Sequence, residues 1–259
     1  MKKLAFTKMQ AVGNDYIYFN CFDPEVQISA PEELAVSLSK RNFGIGSDGI
    51  VLILPTDKAD AKMRMFNADG SEGLMCGNAI RCVAKYLYDN RIANKTTMTI
   101  DTLSGIKTLI LSLQNSMVSS VKVDMGQAIF EEGKTALTIA NKTYDAKNIS
   151  MGNPHAVVFC TDVDSIQLSG TFSVNIEFVE VLDKNRLKMR VWERGSGETL
   201  GCGTGACASA VAAVLDGYCD KNTDISVLSP GGELIINFTN ESVFMTGDCQ
   251  TVFEGTVQI

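Results

Sequence analysis

A chain of 259 residues, 45% apolar and 20% charged, can bury one large core or two cores of about 130 residues each. Its formal net charge of −7 leaves no basic footprint for a phosphate backbone, so nucleic acid is not an expected partner. No apolar run approaches the roughly 18–20 residues of a membrane span, and the opening residues lack the apolar core of a signal peptide. The expectation is a cytoplasmic protein with no membrane partner.

In chain order, Gly13-Asn14-Asp15 leads into a β-like run, Tyr16–Phe19. A helix is expected over Pro31–Ser39, then strands over Ile50–Leu54 and Lys62–Phe66. Over Cys76–Asn90 the apolar residues Ile80, Val83, Ala84 and Leu87 recur at i, i+3, i+4, i+7, which predicts a helix with one buried face. Strands follow at Thr97–Thr102, Lys107–Leu113 and Val118–Met125, then at Ala156–Cys160, Ile176–Leu182 and Arg186–Glu193. Gly203–Leu215 reads as a helix, apolar all round from Ala206 and therefore fully buried. The remaining strands are Ile225–Leu228, Leu234–Phe238, Ser242–Thr246 and Gln250–Ile259.

The chain repeats itself. Phe66-Asn67-Ala68-Asp69-Gly70-Ser71-Glu72-Gly73-Leu74-Met75-Cys76-Gly77-Asn78 aligns without gaps on Trp192 to Thr204, at an offset of 202 − 76 = 126. The alignment matches Glu72 to Glu198, Leu74 to Leu200, Cys76 to Cys202 and Gly77 to Gly203. A second echo, at another offset, sets Gly13-Asn14 against Gly152-Asn153, each followed by a β-like run. Two matches in the same order predict two copies of one fold, with the boundary in the polar stretch Gln114–Ser120. The expected domains are 1–117, with the C-terminal strand 248–259 returning to it, and 118–247.

The eight cysteines include no Cys-x-x-Cys pair, and His155 is the one histidine, so no metal site is expected. Cys21, Cys82, Cys160, Cys207, Cys219 and Cys249 read as small buried hydrophobes. Cys76 and Cys202 differ, because each opens a helix. Unpaired N–H groups and the positive dipole end there lower a thiol pKa and form a seat for a carboxylate. If the halves face each other, the sulfurs flank one α-carbon. One thiolate then removes a proton while the opposite thiol returns one, and the pair titrates as a unit. Gly201-x-Gly203-x-Gly205 lacks the spacing of a dinucleotide loop, and Gly44-Ile45-Gly46-Ser47-Asp48-Gly49 is no P-loop.

These residues resemble the diaminopimelate epimerase family. The likeness runs through Lys8-Met9 with Gly13-Asn14-Asp15, Arg41-x-x-Gly44-Ile45-Gly46-x-Asp48-Gly49, Phe66–Glu72, Cys76-Gly77-Asn78, Gly152-Asn153-Pro154-His155, Val174-Asn175, Glu193-Arg194-Gly195-x-Gly197-Glu198-Thr199 and Cys202-Gly203-Thr204-Gly205. The resemblance implies a mixed α/β (α+β) fold of two pseudo-symmetric domains, each a β-barrel-like sheet around a central helix, with the active site in the cleft between them. It implies interconversion of LL- and meso-diaminopimelate by a homodimer, without pyridoxal phosphate or metal, feeding lysine and peptidoglycan synthesis. By position, Cys76 and Cys202 are the acid/base pair, and His155 and Glu193 tune the thiols. Asn14, Asn67, Asn153, Asn175, Glu193 and Arg194 contact the substrate, and the backbone at Gly77-Asn78 and Gly203-Thr204 cradles its carboxylate. Taken alone, His155 would read as a satisfied structural histidine and Arg194 as a solvated charge. Gly49 stands where some members carry a substrate-contacting Gln, and Phe253 where some carry a Tyr linked to dimer formation. A racemase of histidine or lanthionine on the same scaffold, or a non-catalytic amino-acid-binding protein, are the alternative readings.

Overall fold

The structure is a computed structural model that describes residues 2–130, 133–139 and 142–259. In chain order its elements are β1 (Lys3–Ala11), β2 (Asn14–Asn20), α1 (Pro31–Leu38), β3 (Gly49–Leu54), β4 (Ala61–Asn67), β5 (Glu72–Gly73), α2 (Gly77–Asp89), β6 (Thr97–Thr102), β7 (Gly105–Gln114) and β8 (Met117–Gly126). There follow β9 (Ile129–Phe130), β10 (Thr135–Ile139), β11 (Lys142–Ser150), β12 (Pro154–Cys160), β13 (Asn175–Asp183), β14 (Arg186–Glu193), β15 (Gly197–Thr199), α3 (Gly203–Leu215), β16 (Asp224–Ser229), β17 (Gly232–Phe238), β18 (Val243–Gly247) and β19 (Gln250–Gln258). Among the described residues, no helix is long and apolar enough to cross a membrane.

The chain divides into one unit of Met1–Val123 with Asp248–Ile259, and another of Asp124–Gly247. In the first, the strands run β19-β1-β2-β3-β4-β6-β7-β8, and β5 adds a short pairing to β4. The β2–β3 and β4–β6 pairs are parallel and the rest antiparallel. The second unit repeats the scheme as β10-β11-β12-β13-β14-β16-β17-β18, with β12–β13 and β14–β16 parallel. Corresponding residues are therefore fixed by register. Tyr16 pairs with Gly49 where His155 pairs with Asn175. The interval from Tyr16 to Gly49 is 13 residues longer than that from His155 to Asn175, because the first unit inserts α1 between the two strands. This insertion is why the two sequence echoes have different offsets.

Each sheet has two apolar faces, since alternate strand residues point opposite ways. In the first unit, Ile17, Phe19, Ile50, Leu52 and Phe66 pack with Ala35 and Leu38 of α1. On the other face lies α2, whose Ile80, Val83, Ala84 and Leu87 are fully buried. Tyr18 donates its hydroxyl to Ala79 O there, at 3.3 Å. In the second unit, Ala156, Val158, Ile176 and Phe178 are covered by Val163, Ile166, Leu168 and Phe172 of the 161–174 connection, which does the work of α1. The opposite face holds α3, buried all round its length from Gly205 to Ala213.

The polar stretch Gln114–Ser120 does not separate the units. Asn115 and Ser116 take positive φ of 52° and 63°, the pattern of a type I′ turn, and join β7 to β8 as a hairpin. The chain then passes from one unit to the other within the unbroken strand β8.

Candidate active site

Each candidate cysteine sits immediately before a 13-residue buried helix, in extended backbone, and caps it. Cys76 Sγ accepts from Ala79 N at 3.5 Å, and Cys202 Sγ accepts from Gly205 N at 3.4 Å. The sulfur so takes up one N–H that a helix start leaves unpaired.

In the first unit, Cys76 Sγ donates to Asn14 Oδ1 at 3.4 Å. The amide is oriented by Asp48, which accepts from Asn14 Nδ2 at 2.7 Å and from Asp15 N at 3.1 Å. Arg41 bridges Asp15 and Asp48 at 2.8 and 2.9 Å, and the buried Lys8 ammonium is 2.5 Å from Asp15. Burial alone would raise the Asp15 carboxyl, but Arg41 and Lys8 outweigh it and hold it below the usual carboxylate range. Asp48 is pushed up, by burial first and then by the charge of Asp15. Gly77 and Asn78 form the buried first turn of α2. Asn67, opposite Gly49 on β4, donates to Ser71 Oγ at 3.0 Å. A Cβ at Gly49 would lie 2.0 Å from Phe66 O, so the close backbone approach of β3 and β4 requires glycine there.

In the second unit the residues form a chain around the start of α3. Glu177 Oε1 lies 2.6 Å from His155 Nδ1. His155 Nε2 lies 3.2 Å from Asn153 Oδ1. Asn153 Nδ2 donates to Thr204 Oγ1 at 3.4 Å, and Thr204 Oγ1 is 3.4 Å from Cys202 Sγ. On the other side, Thr199 donates to Glu193 Oε1 at 2.6 Å, and Glu193 is hydrogen-bonded to Cys202. Asn175 Oδ1 accepts from Arg194 N at 2.9 Å, while the exposed Arg194 guanidinium reaches Ser173 O at 3.5 Å. A cavity of about 330 Å³ opens beside His155 between Phe130, Pro154 and Val174. A larger one, about 720 Å³, lies in the first unit by Lys85, Asp89 and Glu254 and touches no predicted site residue.

At Cys202 the helix start is outweighed. Burial, then the charges of Glu193 and Glu177, push it well above its ordinary value, against weaker help from Thr204 and the Gly205 N–H. Glu193 is itself raised, by burial first, against hydrogen bonds from Thr199 and Cys202. Sequence reasoning named Asp48 only as part of a motif and did not single out Glu177. The one signal for Glu177 was a charge set between Ile176 and Phe178 in the run Ile176–Leu182, which carries a second carboxylate at Glu180. Among the described residues, no group of three or more His, Cys, Asp and Glu side chains is placed to hold a metal ion.

Residues 6–131 and 147–252 match the family described as diaminopimelate epimerase. A diaminopimelate epimerase of Acetivibrio thermocellus is 47% identical over 281 residues, with 99% of each chain covered. The chain belongs to the diaminopimelate epimerase family. A second family member, from Methanococcus maripaludis strain S2, is 46% identical and matches 99% of this chain and 100% of its own. The fold extends beyond the family. A PhzF-family phenazine biosynthesis protein of Bacillus anthracis superposes with a TM-score of 0.78 at 16% identity, covering 100% of both chains. A hydroxyproline epimerase of Agrobacterium vitis superposes at 0.72 and 13% identity, covering 99% of this chain and 92% of its own. The mixed, sheet-rich α/β class expected from the sequence is the one found.

Proposed function

We propose that this isomerase interconverts LL- and meso-diaminopimelate by passing the α-proton between Cys76 and Cys202. One observation carries the reading. Two cysteines cap equivalent buried helices in two units of matching strand order, and each cysteine is held by a different polar network.

The first N–H groups of each helix, at Gly77-Asn78 and Gly203-Thr204, suit a substrate carboxylate. Holding that carboxylate also favours the negative charge that develops when the α-proton leaves. Cys76 carries a proton to give, since its sulfur faces the Asn14 carbonyl oxygen as donor. Cys202 has Glu193 beside it as proton acceptor, and the raised Glu193 carboxyl is better matched to that task than an ordinary one. In the forward direction Cys202 gives its proton to Glu193 and takes the α-proton from one face. Cys76 delivers its own proton to the other face. The reverse reaction starts from the Cys76 thiolate so formed. Asn67, Asn153, Asn175 and Arg194 supply the donors and acceptors that a second ammonium–carboxylate end requires.

In this reading no pyridoxal phosphate is involved, and the protein works in the cytoplasm as a homodimer. Phe253 on β19 is half exposed, its ring edge-on to Phe6 at 5.9 Å, and offers an apolar contact for a second copy. The deciding experiment is NMR of the reduced protein with LL-diaminopimelate in D₂O and no added cofactor. Deuterium at the α-position together with the meso isomer is the expected result. Exchange in a different amino acid alone would overturn the substrate, and no exchange in any would overturn the epimerase.

A further inference from the structure

Glu177 and His155 form a pair that the reaction above leaves unexplained. Both side chains are completely buried. Glu177 sits on β13 between Ile176 and Phe178, which face the opposite, apolar layer. Its register partners, Val157 on β12 and Val191 on β14, are apolar. Room for the carboxylate comes from Gly205 in the first turn of α3, where a Cβ would stand 2.6 Å from Glu177 Oε1.

The contacts of the pair suit one charge state. Glu177 Oε1 meets His155 Nδ1 at 2.6 Å, and Oε2 has no hydrogen-bond partner among the described residues. A buried carboxylate with one partner needs that partner to carry the opposite charge. The other ring nitrogen, Nε2, faces Asn153 Oδ1 at 3.2 Å, and this amide is oriented by its Nδ2 donating to Thr204. In that orientation the amide presents its oxygen, an acceptor, to Nε2, which donates to it. An imidazole that donates from both nitrogens is an imidazolium.

We propose that Glu177 is a positioning residue that keeps His155 as an imidazolium in the half-site of Cys202. The ionisable groups gathered there are Glu177 from β13, His155 from β12, Glu193 from β14 and Cys202 at the start of α3. With both carboxylates ionised, Cys202 faces two negative charges, and the charged ring offsets one of them. The consequence for turnover rests on the epimerase reading; the charge state does not.

His155 is the protein's one histidine, so its ring can be observed without overlap. The test is a long-range ¹H–¹⁵N correlation on the ¹⁵N-labelled full chain without substrate. At about pH 7 the wild type should show both ring nitrogens protonated. Glu177→Gln should show one nitrogen unprotonated at the same pH, and its kcat should fall about tenfold or more. An unprotonated ring nitrogen in the wild type overturns the proposal, as does a ring still fully protonated in Glu177→Gln. If that variant does not fold, the wild-type spectrum decides alone. Failure of the epimerase reading would appear separately, in the D₂O exchange experiment.

Discussion

Replacing Glu193 by Gln should make Cys202 more acidic and the enzyme slower. Glu193 is hydrogen-bonded to Cys202, and its charge is the foremost of the neighbours that raise the thiol. Two unit charges about 4 Å apart in surroundings of effective dielectric ~20 interact by about 4 kcal/mol, or about three pK units. The Thr199 hydroxyl already draws on the Glu193 charge at 2.6 Å, and Glu177 remains after the substitution. A downward shift of the Cys202 thiol is therefore expected. The assay is the pH dependence of alkylation in a Cys76→Ala background, followed peptide by peptide by mass spectrometry. Cys21 serves as an internal control, because burial pushes it up to about 11 and Glu193 is not among its causes. Turnover of Glu193→Gln with Cys76 intact should fall by about 10²–10⁴, since the carboxylate that receives the Cys202 proton is gone. An unmoved Cys202 midpoint, or full turnover, refutes the coupling of the two groups.

Cys76→Ser and Cys202→Ser should each cut turnover by about two orders of magnitude or more while far-UV circular dichroism stays unchanged, because a hydroxyl can still cap the helix but is a far weaker acid than a thiol. Gly49→Ala should destabilise the first unit by about 2–3 kcal/mol, because the new methyl meets Phe66 O and that backbone must move. A melting temperature equal to wild type would contradict the close approach. Asp15→Asn should cost about 3–5 kcal/mol at neutral pH by leaving the buried Lys8 ammonium without its charged partner and with the Gly46 carbonyl alone. The lowered Asp15 carboxyl contributes stability that is fully present above its unfolded value of about 3.9 and is lost as pH falls through the folded value. Urea midpoints should accordingly drop on acidification below about pH 4 in the wild type, with a smaller drop in Asp15→Asn.

What the sequence determined by itself was local or repeated. The buried face of α2 follows from Ile80, Val83, Ala84 and Leu87, and the burial of α3 from its apolar circumference, because a helix brings residues three and four apart onto one side. The strands of β6 and β14 were legible from composition and turns, whereas β1 and β11 were not. β1 buries residues on both faces, Lys8 among them, so it shows no alternation to read. The repeat around Cys76 and Cys202 marked the two helix starts, since the cap of a helix is a property of adjacent residues.

What only the tertiary structure decided was the electrostatics of those starts. The dipole expected to lower the Cys202 thiol is outweighed by burial and by Glu193 and Glu177, which lie on two other strands. The Glu177–His155 contact joins residues 22 apart across a parallel strand pair, and the Asp48–Asn14 contact joins residues 34 apart. Desolvation and charge pairing depend on what the whole fold packs around a group, and spacing along the chain carries no record of that.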